Sequence, residues 1–336
     1  MDDLLARSAE ELFTRHCPPQ AVRAARAGQV FPALWQAVEE AGFTETLVPE
    51  AAGGAGLGPD GALPLLLAAG RFAAPLPLGE TMLARAALAT AGERPPEGPV
   101  ALAQPSGAGG PLLARIAPGR QAAWVLLPRE EATLLLPVAE AETLPEESSP
   151  LGTTLRWHSA GGGLRLPPAD WLAAGAWAEA AEMAGALGRI LEDTVRHARE
   201  RQQFGRPVAA FQAVQQQISV LTEEVFAART AAQLASLGGG DGVAGLDTAR
   251  VAAAKLRVGE AAVRGAAIAH AVQGAMGITE EVDLHLFTGR LHAGRARFGS
   301  EGFWAAWLGR AFLAGPSNES LAFARERLGP SAGAGV

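Results

Sequence analysis

The sequence is short of several things, and each shortage removes a class of function. It holds one cysteine, Cys17, so no disulfide forms within the chain and a reducing cytoplasm is the expected compartment. Basic residues are outnumbered, 28 Lys+Arg against 35 Asp+Glu, with a formal net charge of -7. A chain without a basic excess is not built for general nucleic-acid or anionic-membrane binding. Long apolar runs are missing: stretches such as "ALPLLLAAG" are too short to span a bilayer. The opening "MDDLLARSAEELF" is acidic and lacks the basic segment of a signal peptide. No HExxH, CxxC or Glu-x-x-His pair occurs, and His285 and His292 find no further ligands, so no metal is expected. The hydroxyls of "GTTL", "SSP" and "GSEG" stand in no Gly-x-Ser-x-Gly elbow, so serine hydrolase chemistry has little support.

What is present is apolar: 49% hydrophobic and 19% charged residues describe a packed globular protein. Three zones follow one another. Residues 1–94 read as helical; "FPALWQAVEEAGF" sets Phe31, Leu34, Trp35 and Val38 on one face, three and four apart. Residues 95–168 change texture, with prolines and glycines separating the β-leaning runs "PVALA", "AAWVLLP", "ATLLLPV" and "TTLRW". Residues 169–330 return to helix. Phe211, Val214, Ile218, Leu221 and Val225 form one stripe suited to a four-helix bundle, with "LGGGDG" as a loop and Asp247 as an N-cap. Pro316 closes a later helix, and the terminal "GPSAGAGV" is expected to fray. The fold class expected is mainly α with a small central β domain. "GLGPDG" spells G-x-G-x-x-G, but a helix and a loop precede it instead of a strand, so it reads as an interhelical turn.

One bend stands out. "RERQQFGRPVAAFQAVQQQ", starting at Arg199, gathers three arginines and six glutamines around a Phe-Gly-Arg-Pro break. Gly205 and Pro207 account for a helix stop. They do not account for Arg201, Gln203, Phe204 and Gln212 appearing together. Guanidinium forks match phosphate oxygens, glutamine both donates and accepts, and a phenyl ring lies against flat groups. The segment suits an anionic, hydrogen-bonding ligand.

The same residues carry a resemblance. Arg201, Phe204, Gly205, Pro207, then Phe211-Gln212, resemble the signature Arg-x-x-Phe-Gly-x-Pro, three variable residues, Phe-Gln, of the acyl-CoA dehydrogenase family. "LVPEAAGGAGLG" looks like that family's N-terminal loop, "VQGAMGITEEVDLHLF" like its glycine element, and the order of zones like its helical, β-sheet and bundle domains. The resemblance implies FAD bound across a subunit interface and α,β-dehydrogenation of an acyl-CoA thioester, with relevance to fatty acid metabolism. It places Arg201 on the pyrophosphate, Gln212 on the nucleotide, and Gln203 and Phe204 in the same groove. Gln273, Gly274 and Gly277 would form the glycine element, where the backbone approaches the cofactor.

The chain departs from that family where catalysis is concerned. The family's carboxylate base, in a Tyr-Glu-Gly-Thr segment, falls on Phe298; its alternative position, on the first bundle helix, falls near Gly175. Glu301, Glu179 and Glu182 are displaced from these positions and read as ordinary helix glutamates. Thr-Glu-Pro and Gly-Ser-Asp motifs are missing from the β zone, and Ala271 stands for a glutamine. Alanine-rich "AAGAWAEAAEMAGALG" suggests room for a bulky acyl group. The catalytic residue is therefore unassigned, and two functions stay open. One is an active FAD enzyme, homodimer or homotetramer, with an unusual base. The other is a catalytically reduced subunit that joins a fuller acyl-CoA dehydrogenase chain, which supplies the base. A homodimer that binds little flavin is a third.

Overall fold

The computed structural model of the chain describes residues 2–104, 111–117, 121–149, 152–161, 163–237, 245–315 and 319–329. The N-terminal zone holds α1 (Asp2–His16), α2 (Pro19–Arg26), α3 (Pro32–Glu40), α4 (Pro59–Arg71) and α5 (Leu78–Thr90). Three of these start on proline, whose missing N–H costs nothing in a first turn. The α3 stripe is in place: Leu34 and Val38 are buried, Phe31 packs on the same core, and Trp35 lies under the Arg85 guanidinium. "GLGPDG" is the loop that leads into α4, with Gly58 as its N-cap.

The middle zone forms two small sheets from β1 (Val100–Leu102), β2 (Leu112–Ile116), β3 (Trp124–Pro128), β4 (Thr133–Pro137), β5 (Glu142–Ser149), β6 (Gly152–Trp157) and β7 (Leu164–Leu166). Their orders are β1-β3-β4-β7 and β2-β6-β5; β1 and β3 pair in parallel, the other described pairs antiparallel. Alternation along β3 sorts the layers. Val125 and Leu127 share an inner core with Leu155 and Trp157 of the other sheet, while Leu126 faces the core of the helices. A strand covered on both faces has to be apolar throughout.

The last zone is the bundle: α6 (Trp171–Glu200), α7 (Gln212–Ser236), α8 (Thr248–Gln273), α9 (Leu284–Ala296) and α10 (Glu301–Leu313), followed by short α11 (Ser320–Phe323). A two-stranded hairpin, β8 (Gln202–Gln203) and β9 (Arg206–Pro207), joins α6 to α7. Asp247 caps α8, accepting from the N–H of Ala249 at 2.8 Å and of Arg250 at 3.1 Å. In α7, Leu221 and Val225 are buried but Phe211, Val214 and Ile218 only half so; the stripe leaves the core toward the start of the helix.

Small side chains bring helices close. A Cβ at Gly70 or Gly185 would strike the backbone carbonyl of Glu182 or of Leu67, so α4 and α6 touch backbone to backbone. One at Gly79 would stand 2.8 Å from the Ala178 Cβ. The alanine-rich stretch of α6 is taken up by this packing, which corrects the expectation that it leaves space for a bulky group. Among the described residues no helix is long and apolar enough to cross a membrane, and no group of three His, Cys, Asp or Glu is placed to hold a metal. The glycine-rich loop beyond Leu237, Pro316 and the tail from 330 lie outside the described residues.

Candidate functional site

The hairpin after α6 presents the polar bend. Gln203 pairs with Arg206 across the turn, whose two central residues, Phe204 and Gly205, have φ of 52° and 77°. Two positive φ values suit the primed turns that match strand twist. Glycine accepts this without cost; Phe204 does not, and its ring is 91% exposed. The ring stands edge-on to Phe211, centroids 6.1 Å apart, and the Arg206 guanidinium lies over Phe211 at 4.2 Å. Immediately afterwards α7 begins at Gln212 with no side-chain cap and no acidic residue in its first turn. The side chains of Arg201, Gln203 and Gln212 are exposed and make no hydrogen bond or ion pair among the described residues. Strain, exposed ring, free cation and open helix start all face outward.

The glycine element closes α8. Gly274 has φ 61° and ψ -142°, a conformation that only glycine takes readily, and it ends the helix at Gln273, which is buried. Gly277 is buried for packing: a Cβ there would stand 3.0 Å from the Gln273 Cβ and 3.4 Å from Leu284 Cδ2. Leu221 of α7 packs beside Gly265 of α8, and the start of α8 returns to the end of α7 through Arg250 Nη1 donating to the Leu237 carbonyl at 2.5 Å. The two helices are therefore antiparallel. From that contact, each helix runs about 12–14 Å, at 1.5 Å per residue, to Gln212 and to Gln273. Hairpin and glycine element thus lie at one end of the bundle.

The two positions where a base would be expected meet in space. Phe298, buried and at φ 51°, lays its ring on Gly175: a Cβ on Gly175 would stand 2.6–2.7 Å from three ring carbons. The Phe298 carbonyl accepts from Trp304 Nε1 at 2.9 Å. Beside the ring, 4.7 Å from its centroid, the Arg297 guanidinium donates to Glu179 of α6 and, at 2.9 Å, to Glu80 of α5. Glu80 also accepts from the Leu102 N–H of β1 at 2.6 Å. One guanidinium thus ties all three zones together. Glu182 pairs in the same way with Arg290 of α9.

Glu179 and Glu182 are 3% and 1% exposed, which corrects their reading as solvated helix glutamates. Arginines more than a hundred residues away neutralise them, and a paired carboxylate tolerates burial. Glu301 opens α10 behind its N-cap Ser300, as expected, and accepts from Arg295 Nε at 2.5 Å. Burial acts to raise its carboxyl range, but the Arg295 bond, a backbone N–H, and the Arg295 and Lys255 charges together hold it below the ordinary value. Such a carboxylate is a poor proton acceptor. Cys17 is buried, its thiol pushed up to about 12 chiefly by burial, with Arg290 acting against the rise. It is no nucleophile.

Glu80, Lys255, Arg290 and Arg297 were not singled out in the sequence. Only Lys255 leaves a trace there: it is the sole lysine among 28 lysines and arginines.

Residues 2–94 match the model of the acyl-CoA dehydrogenase N-terminal domain, and residues 161–311 that of the acyl-CoA dehydrogenase C-terminal domain. The chain is 29% identical over 307 residues to acyl-CoA dehydrogenase IpdE2 of Mycobacterium tuberculosis, covering 86% of this chain and 90% of that one. In fold it is similar to the ChsE4-ChsE5 complex from Mycobacterium tuberculosis, with TM-score 0.78, 22% identity, and 94% and 98% of the two chains covered. A variant of the Tcur3481-Tcur3483 steroid ACAD gives TM-score 0.78 at 24% identity, with 92% and 96% covered.

Proposed function

Because this chain belongs to the acyl-CoA dehydrogenase family, we propose that it takes part in FAD-dependent α,β-dehydrogenation of an acyl-CoA thioester as a subunit without a base of its own. The observation that carries this is the contact of Phe298 with Gly175: a phenyl ring and a hydrogen atom stand at both places where a base would be expected. The nearest carboxylates, Glu179 and Glu301, are bound to arginines.

The hairpin corner fits part of the cofactor. Arg201, Gln203 and Gln212 offer a cation and amides with no side-chain partner among the described residues, and Phe204 an exposed ring that stands edge-on to Phe211. They would hold the diphosphate and nucleotide of an FAD seated mainly in a neighbouring subunit. Bound FAD supplies the hydride acceptor. The neighbour supplies the carboxylate that removes the α-proton, and this chain excludes water from the shared seam. The partner proposed is a fuller acyl-CoA dehydrogenase subunit. Similarity in fold to a chain of the ChsE4-ChsE5 complex supports that choice.

The test is purification alone and together with such a partner. Alone, the chain is expected to be colourless; the complex is expected to be yellow and to bleach on adding acyl-CoA. A yellow homomer that bleaches with acyl-CoA contradicts this reading and supports an enzyme with a base of its own.

A further inference from the structure

Twenty-seven of the 28 Lys+Arg residues are arginine, and the one lysine is buried to 1% exposure in the third turn of α8. Its ammonium meets three carbonyl oxygens: Gly294 at 2.9 Å, Arg295 at 3.1 Å and Gly299 at 3.1 Å. The first two belong to the last turn of α9, where the Gly294 carbonyl also accepts from the Arg297 N–H at 3.3 Å, and the third lies beyond Phe298. Lys255 therefore grips both sides of the kink formed by Arg297, Phe298 and Gly299, where φ turns positive twice, at 51° and 93°. An ammonium has three donors arranged as a tripod and satisfies three converging carbonyls. A guanidinium is a planar fork and does not. A chain that uses arginine everywhere else keeps lysine where only lysine fits.

We propose that Lys255 is the positioning residue of the Arg297–Gly299 kink, holding the Phe298 ring on Gly175 and the Arg297 guanidinium between Glu80 and Glu179. What the kink closes depends on the function proposed above; the grip itself does not. The groups facing the ammonium are Glu179 of α6, Arg295 of α9, Arg297 of the kink and Glu301 of α10. Burial, as the largest influence, lowers its proton affinity to about 8, with the two glutamates acting against it and the two arginines with it.

The experiment uses the full chain without flavin or partner, so its outcome is independent of the proposed function. Amide hydrogen exchange is compared in wild type, Lys255→Met and Lys255→Arg. Exchange at Arg297, whose N–H donates to the Gly294 carbonyl at the start of the kink, is expected to quicken about tenfold or more in both variants, with the amides around Leu221 in α7 unchanged. Rescue by Lys255→Arg would overturn the tripod, since charge and bulk would then suffice. Exchange unchanged at the kink, or quickened equally throughout, would overturn it too.

Should neither variant fold, 15N-lysine labelling of the wild type decides, because one side-chain signal is possible. A signal shielded from solvent exchange supports the grip. A fast-exchanging signal refutes it.

Discussion

The ring of Phe298 rests on the bare backbone of Gly175, with no room for so much as a methyl group between them. Residues more than a hundred positions apart have become complementary, a large side chain on one and none on the other.

Gly175→Ala is expected to cost about 1–3 kcal/mol through overpacking against a buried ring. Phe298→Leu, which clears the space, is expected to lose stability alone but to relieve part of the alanine's cost. A double-mutant cycle by urea denaturation reads the coupling. Strict additivity would show that the two do not share the space.

Arg201→Ala is expected to leave the stability of the isolated chain within about 0.5 kcal/mol, because its exposed side chain makes no bond among the described residues. In the complex it is expected to weaken FAD by at least about tenfold, the value of a bond to a charged group. Cofactor titration of the complex measures this. Unchanged affinity would remove Arg201 from the diphosphate.

Glu179→Gln leaves the Arg297 guanidinium deprived of one of its two carboxylates. A stability loss of about 3 kcal/mol is expected from breaking one arm of a buried ion pair. Turnover of the folded complex is expected to persist, because that carboxylate holds an arginine. Thermal melting and steady-state rates, measured on the same preparation, separate the two effects.

Two buried groups make stability depend on pH in opposite senses. Lys255 is lowered from 10.5 to about 8, mainly by burial. Between those values the unfolded chain holds a proton that the folded chain lacks, so stability rises with pH. Cys17 is raised from 9.0 to about 12, again mainly by burial, so above 9 the folded chain keeps a proton that the unfolded one has released, and stability falls. No tyrosine titrates in this range. Urea midpoints are expected to climb from pH 8 to 9, by up to about 1.4 kcal/mol per pH unit, then level and decline. Lys255→Met should abolish the climb and Cys17→Ala the levelling.

These features differ in how far they could be read from the chain. The helical zones, the Asp247 cap and the break between α6 and α7 were legible because each is local: a period, a cap residue, a breaker; that the break is a two-stranded hairpin was not. Four strands showed as apolar runs. β2, β5 and β7 did not, and all three are sheet edges, where one side meets solvent and polar residues are tolerated. The buried glutamates were misread because their partners, Arg290 and Arg297, are brought to them only by the bundle. The Phe298–Gly175 contact has the same origin. Alignment to a motif showed a missing base, and only packing showed that the gap had been filled.

The seclusion of Lys255 has a chemical consequence for the surface. Thioesters acylate unprotected ε-amines spontaneously, and a protein beside acyl-CoA is exposed to that damage over its lifetime. With every other cationic side chain a guanidinium, this chain shows no lysine to attack. Amine-directed cross-linkers find no lysine side chain on that exterior, so contacts with any partner are better mapped through carboxylates.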